Sequence, residues 1–519
     1  MTDRPIDLDA LDLAAVRGGA LRDRPVSVLG FARSGIALAR FFADAGAAVT
    51  VYDARPAGDL APALEKLASD GVSRQVRLLA GPDIDPREAL HAAALVATSP
   101  SISPIYPTTD PRLGSALRAL VDARASGDET APALVSEADL FLRLCPAPTI
   151  GVTGTKGKTT TAALTAAILA ADPSHPIELG GNIGRPLVDI LPSLTPGHRV
   201  VIELSELQLP TLSRGTTVAV YTNVTSDHLD RHGSVEAYRA VKRLLAELVD
   251  RYGALVLNAD DPVVAGYAAL SRTTTVSYGI DRPLPGGLGI IDDWITADGV
   301  ERLRLVGGGS ARVVPDGRVM PVGELAIPGR HNTSNALAAV AVGLLFGVAP
   351  DAIRRAAAGF TGVEHRLETV AFVDGVRYVN DSQGTQPDAV IAALQAFPAP
   401  IVLICGGRDK GVDLTDLARV VGDRAAAAVL IGESGPMLGR LFADAGLRVQ
   451  ERAGSMEEAV ERADALARKT LGGGVPAGST PTVLLSPAAT SFDMFADYEA
   501  RGRAFKAAVA ELARRRKLE

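Results

Sequence analysis

Three segments of the chain each open with a short run of apolar, mostly β-branched residues that leads into a glycine-rich loop. The runs lie at 26–29, 149–152 and 401–405. Continuous apolar runs of this length are typical of strands buried on both faces of a parallel sheet. Alanine-rich helical patterns follow the first two runs, at 35–45 and 159–171. Strand, loop and helix in succession predict an α/β fold.

The length of 519 residues predicts about three domains, at roughly 100–200 residues each. We place them at 1–135, 136–358 and 359–519, and we interpret 131–136 as a linker before the second. The stretch 281–329 is rich in Gly and Pro with short alternating runs, which predicts a β-rich insertion late in the middle domain. The apolar stretch 336–348 is shorter than the about 20 residues that span a bilayer, so it predicts a buried helix.

Composition narrows the class of protein. A net charge of −7 argues against a broad surface for nucleic acid. The two cysteines, Cys145 and Cys405, lie far apart and favour a reducing compartment over a disulfide framework. The first residues lack the apolar core of a signal peptide. We therefore expect a soluble cytoplasmic α/β protein with no nucleic-acid partner and no membrane insertion.

The strongest motif is T-G-T-K-G-K-T-T at 153–160, between a strand pattern and a helix pattern. Its glycines let backbone N–H groups face a polyphosphate, and the start of a helix favours negative charge. In such loops Lys158 reaches the terminal phosphates and the Thr159 hydroxyl binds Mg²⁺. The common spacing has glycine at position 152, where this chain has Val152, so the loop is a variant.

A bound nucleoside triphosphate needs a metal ion with hard oxygen ligands nearby. The second buried-strand pattern in this region, 200–203, ends in the carboxylate of Glu203. His228 follows a third strand pattern, and Asp227 or Asp230 could orient its ring. A glutamate at a strand end or a single histidine is more often structural, so each is informative only together with the phosphate loop.

Taken in order, T-G-T-K-G-K-T-T at 153–160, E-L-S-E-L-Q-L at 203–209 and N-V-T-S-D-H-L-D at 223–230 resemble the Mur ligases. That family joins amino acids to the precursor of the bacterial cell wall. Matching segments continue to the end of the chain, at 238–242, 258–261, 329–336, 365–366, 380–382, 406–413 and 485–493. The last of them resemble the glutamate-adding branch most closely.

The resemblance implies three domains: a Rossmann-like N-terminal domain for UDP, a central P-loop-type sheet for ATP, and a Rossmann-like C-terminal domain for the amino acid. It implies ATP-dependent addition of D-glutamate to UDP-N-acetylmuramoyl-L-alanine through an acyl phosphate, in peptidoglycan synthesis. It also implies two Mg²⁺ ions, a carbamylated Lys242 whose carbamate binds metal, and a monomer whose partners are its small-molecule substrates.

By the same resemblance, each ligand has its set of residues. The residues expected to be catalytic are Lys158, His228 and Lys242. Those expected to bind metal are Thr159, Glu203, His228 and Lys242. Those expected to bind ATP are Gly154, Thr155, Lys156, Gly157, Lys158, Thr159, Thr160, Asn332, Asn335, Arg366 and Asp381. Those expected to bind the UDP substrate are Gly30, Arg33, Ser34, Asp53, Arg55, Asn182, Ser205 and Gln208. Those expected to bind glutamate are Thr385, Lys410, Ser491 and Tyr498.

Three positions depart from the family pattern. Ser101 replaces the glycine of a Ser-Pro-Gly turn near the uridine, and Tyr498 stands at the family's aromatic position. Gln383 replaces a lysine and cannot supply its positive charge. An L-glutamate-adding ligase therefore stays an alternative, although the retained Lys410 and Ser491 favour D-glutamate.

Other functions are less well supported. A folyl-polyglutamate synthetase lacks a UDP domain, and a diamino-acid-adding ligase would carry a different motif at 406–410. An inactive nucleotide-binding scaffold is disfavoured because Lys158, Glu203, His228 and Lys242 are all retained. An NAD oxidoreductase would rest on the fingerprint at 30–35 alone, where Ala32 replaces the middle glycine.

Overall fold

The computed structural model describes residues 5–69, 76–91, 93–100, 102–106, 108, 110–182, 184–225, 229–270, 273–300, 316–327, 329–409, 412–472 and 480–517. The chain forms two compact units, Met1–Phe360 and Thr361–Glu519. The described residues form three β-sheets with helices packed on them, two sheets in the first unit and one in the second. The α/β class predicted from the sequence is confirmed.

The first sheet consists of β1 (Pro25–Leu29), β2 (Ala48–Asp53), β3 (Val76–Ala80), β4 (Leu95–Thr98) and β5 (Ala133–Ser136). All its strands are parallel, in the order β3-β2-β1-β4-β5. The helices of this part are α1 (Leu13–Arg17), α2 (Arg33–Asp44), α3 (Ala61–Ser69), α4 (Arg87–Leu90), α5 (Pro111–Ala125) and α6 (Glu137–Leu144). Helix α2 fulfils the helical pattern predicted at 35–45.

The linker predicted at 131–136 is wrong. Residues 133–136 form β5, which pairs in parallel with β4, so that Ala133 lies opposite Leu95 and Ser136 opposite Thr98. Both ends of this short strand are buried. Four residues of sequence are too few to distinguish a strand from a loop by periodicity. The strand therefore continues across the domain boundary predicted at 135/136.

The second sheet consists of β6 (Thr149–Thr153), β7 (Ile177–Gly181), β8 (Arg199–Glu203), β9 (Val218–Tyr221), β10 (Ala254–Asn258), β11 (Thr274–Tyr278), β12 (Gly287–Ile291), β13 (Trp294–Asp298) and β14 (Arg318–Pro321). Its order is β14-β13-β12-β11-β10-β9-β6-β8-β7. Within this order, all neighbouring strands from β12 through β6 to β7 pair in parallel. The pairs β12–β13 and β13–β14 are antiparallel, and these three strands lie in the stretch predicted to be a β-rich insertion.

The helices of this second part are α7 (Lys158–Leu169), α8 (Leu187–Ile190), α9 (Leu229–His232), α10 (Val235–Leu248), α11 (Pro262–Ala265), α12 (Arg330–Leu345) and α13 (Pro350–Gly359). Helix α12 contains most of the apolar stretch at 336–348 and is buried on all sides from Asn335 onward, as expected for a helix that is apolar all round. It packs against α7 in one hydrophobic cluster with β6 and β9.

The sheet of the second unit consists of β15 (Glu368–Val373), β16 (Val376–Asn380), β17 (Ile401–Gly406), β18 (Ala425–Ile431), β19 (Gln450–Arg452) and β20 (Thr482–Leu485). Its order is β15-β16-β20-β17-β18-β19, with only the β15–β16 pair antiparallel. Its helices are α14 (Pro387–Ala396), α15 (Thr415–Arg424), α16 (Gly435–Asp444), α17 (Met456–Gly472) and α18 (Tyr498–Arg516).

The parallel topology determines where a site can form. The carboxyl ends of neighbouring parallel strands meet at one edge of a sheet, and ligands bind there. In the second sheet β6 lies between β8 and β9, so the loops after these three strands are neighbours. In the second unit the same holds for the loops after β16, β20 and β17. Across the described parts of both units, no helix is long and apolar enough to cross a membrane.

Candidate functional site

The phosphate loop occupies the four residues between the end of β6 and the start of α7. Gly157 caps α7 with a φ of 86°, and Gly154 has a φ of 146°. A Cβ atom at Gly154 would overlap the Thr222 hydroxyl, so the loop needs glycine for space as well as for conformation. The N–H groups of the first turn of α7 lie at the end of this loop, where an anion is favoured.

The loop is held by the segment that follows β9. The Thr155 N–H donates to Asn223 O over 2.8 Å, and the Lys156 N–H donates to Asn223 Oδ1 over 2.9 Å. In return, Thr222 Oγ1 and Asn223 Nδ2 donate to Lys156 O over 2.6 and 3.0 Å. These bonds fix the loop against the segment after β9. Lys158 Nζ donates to Thr155 O over 2.8 Å, so its ammonium lies beside the loop.

Glu203, at the end of β8, lies next to β6, with Val152 as its partner across the strands. Its side chain is 1% exposed. Asn182 Nδ2 donates to Oε1 over 2.8 Å, whereas Oε2 is buried and finds no hydrogen-bond partner among the described residues. A buried carboxylate oxygen without a donor is costly. A hard cation such as Mg²⁺ would satisfy it, so Glu203 fits the expected metal.

Lys242 is fully buried on α10. Its Nζ donates to Thr153 Oγ1 over 3.3 Å and lies 5.5 Å from the centre of the Tyr238 ring. The fold thus brings Lys242 to the strand end from which the phosphate loop starts. His228 lies outside the described residues. Within the described ranges, no group of three or more His, Cys, Asp or Glu side chains could hold a metal ion.

Two asparagines lie in the first turns of α12, and one of them, Asn335, lies against the phosphate loop. A Cβ atom at Gly157 would come within 2.5 Å of Asn335 Oδ1, which shows how closely helix and loop approach. Asn335 Nδ2 donates to Asn332 Oδ1 over 3.3 Å. The residues expected to bind ATP from the first unit are therefore neighbours in the fold, although about 170 positions separate the loop from α12.

The candidate UDP residues of the first sheet surround the loop after β1. Asp53 accepts hydrogen bonds from the Phe31 N–H over 2.8 Å and from the Arg55 guanidinium over 2.8 and 2.9 Å. Burial alone would raise the pKa of Asp53, but these bonds outweigh it and hold the pKa below its usual value. The pair thereby fixes the loop containing Gly30, where a φ of 87° favours glycine.

Four of the remaining UDP candidates lie on, or contact, loops that follow strands of the second sheet. Arg33 Nη1 donates to Gly184 O over 2.9 Å, in the loop after β7 that also carries Asn182. Gln208 Oε1 accepts from both the N–H and the hydroxyl of Ser205, each over 3.0 Å, and so closes the turn after Glu203. Ser34 lies in the first turn of α2 and is half-buried.

In the second unit, Asp381 follows β16 and is 4% exposed. Burial raises its pKa to about 6, although Ser486 Oγ and the Leu367 N–H donate to the carboxylate. Arg366 is adjacent in the chain to Leu367 and lowers this pKa through its charge. A Cβ atom at Gly384 would overlap the carboxylate, so this turn needs glycine to lie so close to Asp381.

The candidates for binding glutamate lie on the loops after β16 and β20 and at the start of α18. Ser382 Oγ donates to Tyr498 O over 2.7 Å, and Ser491 is buried at the turn before α18. Arg501, buried on α18, donates to Ser382 Oγ and to Ala489 O, so it ties the two loops together. Thr385 is half-buried beside them. Lys410 lies outside the described residues.

Replacing Asp381 with asparagine should flatten the pH dependence of stability between pH 4 and 6. In the fold Asp381 stays protonated up to about pH 6, whereas an unfolded aspartate loses its proton near 3.8. The folded state therefore binds more protons in this window, and its stability falls as the pH rises. Across this range the free energy of unfolding of the wild type should fall by up to about 3 kcal/mol relative to that of Asp381→Asn, as measured by urea unfolding. An equal pH dependence in both proteins would contradict the shifted pKa.

The sequence did not single out several residues that hold the site together. Asn223 and Tyr238 lie inside matched segments, and Thr222 directly precedes one, so the resemblance contained a signal for this region. Arg501 had no such signal, because a buried arginine on a helix is visible only once α18 is packed on the sheet. The same holds for Glu137, whose Oε1 accepts from the Leu187 N–H at the start of α8 over 2.7 Å.

Two models of one known family match regions of the chain that carry the phosphate loop and Asp381. The model of the Mur ligase middle domain matches residues 152–343. The model described as Mur ligase, glutamate ligase domain, matches residues 365–475. The first match includes the phosphate loop, Glu203 and Lys242, and the second includes Asp381 and the loop after β17.

Curated relatives match along nearly the whole chain. The UDP-N-acetylmuramoylalanine–D-glutamate ligase of Symbiobacterium thermophilum is 37% identical over 496 residues, which cover 95% of this chain and 99% of that protein. The ligase of the same name from Caldanaerobacter subterraneus subsp. tengcongensis is 33% identical, over 95% of this chain and 100% of that protein. Among solved structures, the UDP-N-acetylmuramate-alanine ligase MurC of Thermotoga maritima shares the fold, with a TM-score of 0.50, 19% identity and coverage of 94% and 99% of the two chains.

Proposed function

The chain belongs to the Mur ligase family, and from that premise we propose that it joins D-glutamate to UDP-N-acetylmuramoyl-L-alanine in an ATP-dependent step of peptidoglycan synthesis. One observation carries the proposal: 37% identity to a UDP-N-acetylmuramoylalanine–D-glutamate ligase over 95% of this chain and 99% of the relative. A match of that extent includes all three sheets.

The proposed reaction has two steps that share one carboxyl carbon. The alanine carboxylate attacks the γ-phosphorus of ATP, which forms an acyl phosphate and releases ADP. The glutamate amine then attacks the acyl carbon, and phosphate leaves from the tetrahedral intermediate to give the amide. A carboxylate is a poor acyl donor, so phosphorylation supplies the leaving group. Catalysis then depends on positioning and on neutralising charge.

The residues around the phosphate loop have matching roles. The backbone N–H groups of the loop and the Lys158 ammonium would bind the phosphates and stabilise the charge on the transferred group. Thr159 and Glu203 would hold one Mg²⁺, and His228 together with a carbamylated Lys242 would hold a second. Bound there, Mg²⁺ would neutralise phosphate charge. The buried Oε2 of Glu203, which has no hydrogen-bond partner among the described residues, supports a cation at this strand end.

The remaining assignments are part of the same proposal. Asn332, Asn335, Arg366 and Asp381 would bind the nucleotide. The UDP group would bind at the loop after β1 and at the loops after β7 and β8. Glutamate would bind at the loops after β16, β17 and β20. We further propose that the protein acts as a cytoplasmic monomer on small-molecule substrates.

The test is phosphate release from ATP by the full chain with Mg²⁺ and UDP-N-acetylmuramoyl-L-alanine, compared for D- and L-glutamate. We expect release that requires all three substrates and favours D-glutamate. Reactions that each lack one substrate are the controls, because they separate ligation from ATP hydrolysis. No release with either enantiomer would refute the glutamate-ligase function.

One observation favours an L-glutamate-adding ligase as the second candidate. Gln383 replaces the family lysine after Asp381, and its Oε1 is buried without a hydrogen-bond partner among the described residues. The loss of a positive charge and the gain of an acceptor at this turn would change which enantiomer fits. Faster phosphate release with L-glutamate in the same assay would select this candidate.

A further inference from the structure

A row of four side chains links the segment after β4, in the first part of the chain, to the phosphate loop. The Tyr106 hydroxyl lies 3.4 Å from His232 Nδ1, and the two rings meet edge to face with centroids 5.2 Å apart. The His232 ring meets the Tyr238 ring in the same way at 5.3 Å. The Tyr238 hydroxyl shares a hydrogen bond of 3.0 Å with Thr155 Oγ1 in the phosphate loop.

At the phosphate-loop end, the Thr155 hydroxyl has two partners. Besides Tyr238, the Thr225 N–H donates to Thr155 Oγ1 over 3.1 Å. Tyr238 is almost fully buried, and its ring also lies beside the Lys242 ammonium. Any change in the position of the Tyr238 ring would therefore reach both the loop and Lys242. Edge-to-face ring contacts fix such positions because they depend on angle as well as distance.

At the other end, Tyr106 belongs to the segment that passes the glycine loop after β1. In this segment the Ile102 side chain packs close to Gly30: a Cβ atom built on Gly30 would lie 2.7 Å from Ile102 Cδ1. Tyr106 is buried, and burial together with the charge of Glu206 raises its pKa to about 12 while Arg231 opposes the shift. Its hydroxyl therefore keeps its proton and can donate to His232 Nδ1.

We propose that Tyr106 and His232 are positioning residues that hold Tyr238 against Thr155, so that the affinity of the phosphate loop for ATP depends on the segment bordering the UDP-side glycine loop. The proposal rests on the proposed function, since it assigns the two ends of the row to the two nucleotide substrates. Neither residue is among those assigned to a substrate or a metal ion. They act through the orientation of the Tyr238 ring.

The experiment compares His232→Ala, His232→Phe and Tyr106→Phe with the wild type in the full chain. The first readout is the Kd for a non-hydrolysable ATP analogue with Mg²⁺, measured by calorimetry. We expect His232→Ala to weaken binding about five- to tenfold, the size of one lost hydrogen bond, and His232→Phe to restore most of it because the ring contacts remain. Tyr106→Phe should weaken binding about twofold. Tyr252→Ala, at an exposed tyrosine, is the control and should change nothing.

Kinetics separate positioning from a general loss of structure. In His232→Ala the KM for ATP should rise while the KM for glutamate stays at the wild-type value. The double variant Tyr106→Phe with His232→Ala should bind the ATP analogue no more weakly than His232→Ala alone, because both act through one row. If His232→Ala does not fold, Tyr106→Phe decides the matter because it keeps the packing: a twofold weaker Kd for the ATP analogue supports the proposal, and a Kd equal to that of the wild type overturns it.

Three results would overturn the proposal: an ATP-analogue Kd within twofold of the wild type in His232→Ala, an equal rise of all three KM values, or full additivity in the double variant. Failure of the proposed function is distinguishable, because it would abolish phosphate release in the wild type while the binding comparison could still be made.

Discussion

Replacement of Lys242 with alanine is expected to lower kcat by about 10²–10³-fold, and short carboxylic acids are expected to restore part of the lost activity. The reason is the location of the side chain: it is fully buried, and its Nζ lies at Thr153, where the phosphate loop begins. A carbamate formed on this nitrogen would place an anionic oxygen ligand beside the proposed metal, whereas an ammonium would repel it. Alanine removes the carbamate and leaves space that acetate or propionate can enter.

The measurement is steady-state phosphate release by Lys242→Ala with increasing formate, acetate or propionate. Rescue should depend on the size of the acid, because the space left by the side chain is finite. Lys469→Ala, at an exposed lysine on α17, is the matched control and should show neither loss nor rescue. Full activity of Lys242→Ala would refute the role of this lysine, and a loss that no acid restores would refute the carbamate.

The elements that the sequence predicted are those whose pattern is local. The apolar runs at 26–29, 149–152 and 401–405 became β1, β6 and β17 because a strand buried on both faces has few polar positions to interrupt it. The strand β5 was missed because its four residues are recognisable as a strand only from their pairing with β4. Its partner lies almost 40 positions earlier, and nothing in the sequence of either segment specifies that pairing.

The residues of the site likewise divide into those that a local motif predicts and those that only the packed fold brings together. The phosphate loop and Glu203 were predictable, because a motif states both the residue types and their spacing. Other contacts depend on how the sheets pack. Examples are the hydrogen bond from Asn182 to Glu203 and the contact between Tyr106 and His232, which lie 126 positions apart. Asp53 and Arg55 were predicted as ligand-binding residues, and the fold adds that they bind each other and the Phe31 N–H. Their contact with the UDP group stays a prediction.

Replacing Glu203 with glutamine is expected to move activity and stability in opposite directions. The change removes the negative charge but keeps an oxygen that can accept from Asn182. Activity should fall by about 10²–10³-fold, because a neutral amide is a poor ligand for Mg²⁺. Without Mg²⁺, the free energy of unfolding should equal or exceed that of the wild type, because the carboxylate oxygen that has no partner among the described residues is replaced by the NH2 of a neutral amide, whose burial costs less than that of a charge.

Two measurements separate this explanation from general damage. Mg²⁺ with ADP should raise the Tm of the wild type, since ligands that bind only the folded state stabilise it, and this increase should be much smaller in Glu203→Gln. Glu137→Gln is the matched control: Glu137 is equally buried in the same unit, but its Oε1 accepts from the Leu187 N–H, so its change should leave the Mg²⁺ dependence as it is. If Glu203→Gln keeps the wild-type response to Mg²⁺, the metal binds elsewhere. The buried oxygen of Glu203 would then destabilise the fold without binding a ligand.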